Sequence, residues 1–189
     1  MSALAIQNVL NALLRRLRTG LASGGLPSNV YIGPPNDDNA KASDLTILLV
    51  RVMPNAALRN AERRLPPAGP GQPARVLANA TPVDLHLLLT VASTTSGGEP
   101  ASLGTLGRVV QVLADAPVLG PDEVPDQEAH VSLDKIETED LARVWAMFPL
   151  TSYRPSLLYL VTPVWIDPGV TVAEAPPVVD DRRSTGVLP

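Results

Sequence analysis

The residues of this chain best suited to chemistry are two polar side chains within an apolar run. Asp84 and His86 stand two positions apart in residues 83–92, and a strand would direct both to one face. A carboxylate beside an imidazole is the arrangement of a general-base pair. A hydrolase built on this pair or on His130 needs a nucleophile, and the chain has no cysteine and no Gly-x-Ser-x-Gly turn. We therefore interpret Asp84 and His86 as interface residues, with a pH-sensitive contact as a second interpretation.

Other segments match ligand sites only in part. Residues 34–44 contain three aspartates and two asparagines, without the alternating spacing and final glutamate of a calcium loop. Residues 120–128 are acidic but broken by proline, which favours a solvated loop. Gly104 and Gly107 lack the lysine and hydroxyl residue of a phosphate-binding loop. We predict no metal and no cofactor, and we expect these glycines to let their helix lie close on a sheet.

Composition limits the classes of partner. The chain has 189 residues, a net charge of −4 and 45% hydrophobic residues, which fits one domain with a substantial core. The acidic balance argues against nucleic acid and anionic membranes. The absence of cysteine excludes disulfides and fits a cytosolic protein. No apolar run reaches the length of a membrane span, so we expect no membrane insertion.

Apolar residues at spacings of three and four predict three helices. The first covers residues 3–18, capped by Ser2 and ended by Gly20, with solvated arginines in its last turns. The second covers residues 102–115 and is capped by Ser102. The third begins at Thr138, and its apolar stripe consists of Leu141, Val144, Trp145 and Phe148.

Runs of β-branched residues and leucine predict about five strands. Residues 45–53 have the continuous apolar character of a central strand buried on both faces. Pro163 favours an edge or a bulge in the last strand. The fold class is therefore α/β (α+β): a single domain with a mixed, mostly antiparallel sheet and about three flanking helices. The predicted strands are residues 29–33, 45–53, 83–92, 129–136 and 157–166.

The segments between these elements are the candidate contact regions. Residues 55–64 are expected to form one or two helical turns capped by Asn55. Residues 65–74 are rich in proline and glycine and predict a protruding loop or hairpin tip. Tyr153 and Arg154 are expected to be exposed. The polar exterior of the first segment consists of Arg59, Asn60, Glu62, Arg63 and Arg64.

Five blocks of the sequence resemble a known family. PNAALRN at residues 54–60 and VDLHLLLT at residues 83–90 are the most specific. The others are MSALAIQNVLNALLRRL, LGRVVQVLADAPVL and VWAMFPLTSYRPSLLYLVTPVWID. In their order along the chain these blocks resemble the small cap, or tube-terminator, proteins of phage-tail-like contractile injection systems, which include particles of the antifeeding prophage and Photorhabdus virulence cassette types.

The resemblance implies a structural protein without enzymatic activity. Six copies would form a ring on the last ring of the inner tube protein, stop tube growth and attach the last ring of the sheath protein. Assembly would occur in the bacterial cytoplasm, in a particle that can be released. The cap domain would span residues 1–167, with an extended or disordered tail over 168–189. The alternative is a monomeric adaptor that links the particle to a cargo, a membrane or another protein. The expected interface residues are Asn55, Arg59, Asn60, Asp84, His86, Tyr153 and Arg154.

Overall fold

The structure is a computed structural model, and it describes residues 2–65, 75–77, 79–92, 98–149 and 151–168. The residues 66–74 of the predicted loop and 169–189 of the predicted tail lie outside these ranges. A 3-10 turn at Ser2–Leu4 precedes helix α1. The helices are α1 (Ala5–Ser23), α2 (Asp38–Lys41), α3 (Gly98–Asp115) and α4 (Thr138–Ala146). The strands are β1 (Val30–Ile32), β2 (Leu45–Pro54), β3 (Arg63–Leu65), β4 (Arg75–Leu77), β5 (Thr81–Val91), β6 (Val118–Leu119), β7 (Ala129–Asp134) and β8 (Ser156–Ile166).

The central sheet has six strands in the order β1-β2-β5-β8-β7-β6. Strands β1 and β2 are parallel, and the other pairs are antiparallel. This confirms the predicted mixed, mostly antiparallel sheet in a single α/β domain. The sixth strand, β6, has only two residues and carries no periodicity that a sequence could reveal. Strands β3 and β4 form a separate antiparallel pair that was not predicted.

One face of the sheet is covered by α1 and α3. Alternate residues of β5 point into this closed face, and Leu85, Leu87 and Leu89 are fully buried there. Helix α1 presents its apolar stripe to the same core because residues three and four apart share one side of a helix. Residues of α1 and α3 that are buried in this core include Val9, Leu13, Leu17, Leu21, Val109 and Leu113.

Gly20 allows helices α1 and α3 to approach each other closely. The glycines that were expected to permit close packing, of a helix on the sheet, are Gly104 and Gly107. Gly20 lies inside α1, which continues to Ser23, and a Cβ built on it would lie 2.4 Å from Val112 of α3. Gly104 and Gly107 face open space, so the prediction that they bring their helix close to the sheet is wrong. The predicted end of α1 at Gly20 is also wrong, because the helix continues to Ser23. Gly20 serves helix packing and does not end the helix.

The predicted helix caps lie beside the observed ones. The residue that precedes α1 is Leu4, which makes no side-chain capping bond, so Ser2 is not the cap. Helix α3 begins at Gly98, which places Ser102 within the helix. Glu137 precedes α4, and Thr138 is its first residue. The predicted apolar stripes of α1 and α3 lie within the observed helices, because these stripes depend on packing and not on the cap. Helix α4 ends at Ala146, so Phe148, the last residue of the third predicted stripe, lies beyond the helix.

Among the described residues, helix α4 covers the opposite face at one end. Trp145 of α4 packs there on Leu88 and Leu158, which oppose each other on β5 and β8. Leu141 and Val144 are half-buried around this small cluster. Further along the same face, His86 opposes Leu160, and that part carries polar residues. We call this second face the open face.

Strand β2 departs from its prediction, and strand β8 meets one of the two alternatives predicted for it. Strand β2 is buried on both faces only over Leu45–Ile47, and Arg51 and Val52 are exposed. Strand β8 lies between β5 and β7, so it is not an edge strand. The bulge that Pro163 favours is present as a register shift between Val83 and Leu85 of β5. A proline cannot donate to the ladder, so an extra residue on β8 accommodates it.

Side chains complete the sheet and its loops where strands end. Pairing of β7 with β8 stops at Thr162, and beyond it the Gln127 amide donates to Trp165 O at 2.8 Å and accepts from Trp165 N at 3.1 Å. Gln127 thus occupies the place of a further strand residue.

Arg16 is 11% exposed and binds the Glu123 carboxylate and Val118 O, so the prediction that it is solvated is wrong.

Candidate protein-interaction site

Asn55 organises the turn that follows β2. Its backbone N–H donates to Pro82 O and its Oδ1 accepts from Leu58 N–H, both at 2.9 Å. Its Nδ2 donates to Asp84 Oδ1 at 2.9 Å and to Thr162 Oγ1 at 3.1 Å. The segment forms hydrogen-bonded turns at residues 56–60, so the predicted helix over 55–64 is wrong. Asn55 therefore ties this turn to the open face.

The turn presents its remaining polar residues outward. Arg59 and Asn60 are exposed, directly after the half-buried Leu58. Because Asn55 anchors the start of the turn at several points, the backbone that carries Arg59 starts from a fixed position. A fixed arginine loses less side-chain and backbone freedom on binding than one in a free loop. This geometry suits a contact residue, and the role of Arg59 and Asn60 stays a prediction.

Asp84 and His86 share the open face but have different partners. Regular pairing of β5 with β2 through these residues keeps both on one side of the strand. The Thr162 hydroxyl and the Asn55 amide donate to the Asp84 carboxylate. His86 Nδ1 lies 3.4 Å from Asp134 Oδ2. Each side chain is thus engaged with a residue distant in sequence, and the two make separate contacts instead of forming a pair with each other.

Tyr153 and Arg154 are adjacent in sequence and differ in burial. Tyr153 is 63% exposed, and its ring lies edge-on to Trp145, with centroids 5.9 Å apart. Arg154 is buried, which lowers the pKa of its guanidinium below the usual arginine value. The prediction that Arg154 is exposed is therefore wrong. Tyr153 remains the one of the two that is available at the surface.

Arg63 is buried, although its sequence neighbourhood is polar. Only 4% of it is exposed, and it forms an ion pair with Asp167 and donates to Asp126 O. Its guanidinium lies 6.0 Å from the centre of the Trp165 ring. These contacts join the β3–β4 pair to the loop before β7 and to the end of β8. The prediction that Arg63 belongs to a polar exterior is wrong, whereas Arg64 is exposed.

The described residues also bear on metal binding and membrane insertion. Within the described ranges, no three or more histidine, aspartate or glutamate side chains lie together as metal ligands would. None of the described helices is long and apolar enough to span a membrane. What the site offers instead is a set of mutually paired polar groups on the open face and an arginine-bearing turn beside it.

Two solved structures share this fold. One is the sheath/tube terminator of the PVC extracellular contractile injection system in the extended state, with a TM-score of 0.59 and 21% identity. The alignment covers 97% of this chain and 64% of that chain. The other is the tube-terminating cap of the anti-feeding prophage, with a TM-score of 0.60, 21% identity, and coverage of 93% of this chain and 60% of that chain. The tail-terminator-like fold predicted from the sequence is confirmed.

The chain therefore spans about three fifths of the length of those two terminators. No curated protein sequence matches it. Residues 7–180, which include all of the central sheet and most of the predicted tail, match one protein family. The suspected relation to cap and terminator proteins is confirmed at this level: the chain belongs to the Pvc16 N-terminal domain family.

Proposed function

We propose that this protein caps the inner tube of a contractile injection system. The observation that carries the proposal is the likeness of almost the whole chain to two proteins that terminate such tubes, within a shared family. The described residues hold their polar groups in structural pairs, which suits a non-enzymatic role. A terminator must fit the end of a growing polymer and offer it no site for the next ring.

The cap would be a ring, and six copies are the expected number. A ring of identical subunits uses two different surfaces of each subunit, which meet when the rotation closes. The turn with Arg59 and Asn60 and the polar part of the open face form one continuous candidate surface, because Asn55 and Asp84 join them. Tyr153 lies beside α4, and its exposed ring offers a second surface. The same ring would give the last sheath ring its attachment.

Assembly would take place in the bacterial cytoplasm, where tube, sheath and cap are made together. In this account Asn55, Asp84 and Thr162 act as supporting residues that fix the turn. Arg59 and Asn60 make the contact. His86 and its partner Asp134 lie further along the open face and complete the surface.

The proposal is tested by light scattering after size exclusion on the full chain, alone and with assembled inner tube. We expect a ring, or a shift of the protein onto tube ends. Arg59→Glu should abolish this association with an unchanged thermal melt, because Arg59 is exposed. Arg15→Glu is the matched control: it makes the same charge change at an exposed position on α1, on the opposite side of the sheet from both candidate surfaces, and should leave association intact. A monomer that ignores the tube would contradict the cap and favour the adaptor.

A further inference from the structure

The longest strand edge without a partner, among the described residues, belongs to β2. Strand β1 pairs with β2 only from Leu45 to Ile47, and Gly33 N–H donates the last hydrogen bond on that side, to Ile47 O at 3.0 Å. Strand β2 continues to Pro54 along β5. In the part of the chain that the structure describes, no backbone group pairs with the outer side of residues 48–54.

A bulge interrupts β2 between Leu49 and Arg51, and beyond it the direction of each backbone group on this edge follows from its neighbours. Asn55 N–H donates to Pro82 O at 2.9 Å, toward the β5 side. Backbone groups of an antiparallel strand alternate in direction, so Val52 directs its N–H and C=O away from β5. Pro54, two positions on, would also direct an N–H outward and has none. Proline in a strand is confined to such edge positions, and Pro54 is thus in keeping with an exposed edge.

The side chains along this edge differ between the two faces. Val52 opposes the buried Leu85, which places it on the closed-face side, and it is 43% exposed. Arg51 opposes His86 and is exposed on the open-face side. A strand added here would meet an apolar residue on one face and a cation on the other. Its own side chains must alternate in the same way.

The charge of the surrounding segment is positive although the chain as a whole is acidic. Between residues 45 and 65 the only acidic residue is Glu62, against Arg51, Arg59, Arg63 and Arg64. Arg63 is neutralised by Asp167, and Arg64 belongs to the separate β3–β4 pair. The exposed Arg51 lies on the edge itself, and the exposed Arg59 follows in the turn directly after β2. An added strand with carboxylates would therefore be attracted, and one with ammonium groups repelled.

We infer that the outer edge of β2 binds an extended segment of another polypeptide, one in which apolar residues alternate with carboxylates. Backbone hydrogen bonds to Val52 would set its register. A second copy of this chain is a poorer occupant, since pairing two β2 edges would bring like charges together. The other outer strands, β1 and β6, have three and two residues and offer too little edge. This inference goes beyond the capping proposal and does not depend on it.

The test uses the full chain and a capped ten-residue peptide that alternates valine and glutamate, with a valine–lysine peptide as the control. Amide exchange is followed residue by residue. We expect the valine–glutamate peptide to slow exchange at Val52 at least tenfold. Met53 and Asn55 face β5 and should keep their rates. Equal binding of both peptides, or no protection at Val52, would overturn the inference. Protection of Val52 that rises with protein concentration alone would instead identify a second copy and also overturn it.

Two variants locate the binding site. Val52→Pro removes the outward N–H without removing a bond to β5, and it should weaken the valine–glutamate peptide at least tenfold. Arg51→Glu changes no backbone group and should reverse the preference between the two peptides, which keeps the test decisive if Val52→Pro fails to fold. Val52→Thr retains the N–H and should bind within about threefold of the parent chain. Unchanged binding by both Val52→Pro and Arg51→Glu would place the peptide elsewhere.

Discussion

The two faces of the central sheet differ in what they do with the same strands. On the closed face, every second residue of β5 is buried under α1 and α3. On the open face, the alternate residues run from Leu88, buried under Trp145, to the half-buried His86 and Asp84. A single strand thus contributes to the core on one side and to a polar surface on the other.

The difference separates residues that hold the fold from residues that are free to meet a partner. The closed face is stabilised by removal of apolar area from water, which is large and non-directional. The polar pairs of the open face contribute little to folding because each group exchanges water for another polar group. Substitutions on the closed face should therefore change mainly the free energy of unfolding, and substitutions of polar residues on the open face should change mainly the binding of a partner.

The largest expected effect is on the closed face. Leu87→Ala should lower the free energy of unfolding by about 3 kcal/mol, since the fully buried side chain leaves a cavity. Leu160→Ala is the matched change on the half-buried open face and should cost about 1 kcal/mol. Urea denaturation of both variants measures the difference. Equal losses would mean that the open face is as tightly packed as the closed one.

The next effect concerns two neighbouring arginines. Arg63→Ala should cost about 2–3 kcal/mol, because it leaves the Asp167 carboxylate and the Asp126 carbonyl without their buried cation. Arg64→Ala should stay within about 0.5 kcal/mol, since Arg64 is exposed. Thermal or urea unfolding distinguishes them. A loss of stability in Arg64→Ala equal to that in Arg63→Ala would contradict the assignment of Arg63 as a structural residue.

Two helical glycines should respond to alanine with opposite sign. In Gly20→Ala the new methyl meets Val112, and overpacking of about 1–3 kcal/mol outweighs a gain in helix propensity of about 1 kcal/mol. In Gly107→Ala the methyl meets open space, so only the gain remains. The double variant Gly20→Ala, Val112→Ala removes the two closest contacts of the new methyl, which are with the Val112 Cγ atoms. In a double-mutant cycle on the free energy of unfolding, the double variant should therefore lose less stability than the sum of the two single variants.

The smallest effect lies away from both faces, beside β1. The Asn39 backbone N–H and the Tyr31 hydroxyl hold the pKa of Asp37 below its ordinary value of 3.8, while burial and Asp37 raise that of Tyr31 above 10.0. Asp37 therefore stabilises the fold above its unfolded pKa and loses that contribution as pH falls through its folded pKa. Tyr31 contributes stability below its unfolded pKa, and that contribution is lost as pH rises through its folded pKa.

The chemical shift of the Asn39 backbone amide should titrate with a midpoint below pH 3.8, and Asp37→Asn should abolish that titration. A midpoint at or above 3.8 would contradict the bond.

Periodicity predicted the long elements because it reflects burial directly. The stripe of α1 and the alternation of β5 are visible in the sequence, and each follows from one side facing a core. The short strands β3, β4 and β6 have three residues or fewer, which is too short for alternation to be recognised. Their position depends on the longer strands that surround them.

Residue type alone could not tell which of two residues of the same type has a structural role. Arg63 and Arg64 are adjacent arginines, and only the distant Asp167 decides which is buried. Gly20 and Gly107 are both helical, and only Val112 makes one of them essential for packing. The site shows the same limit: alternation placed Asp84 and His86 on one face, whereas Thr162 and Asp134, their partners, come from strands far along the chain.

The paired hydrogen bonds between Gln127 and the backbone of Trp165 have a consequence for solubility. An unpaired strand is a template for aggregation, and the Gln127 side chain fills that template beyond the end of β7. With Gln127→Ala, the backbone groups of Trp165 would lose their side-chain partner and become available to a strand of another molecule. We therefore expect Gln127 to oppose self-association, because its single amide occupies a position where another molecule's strand could add.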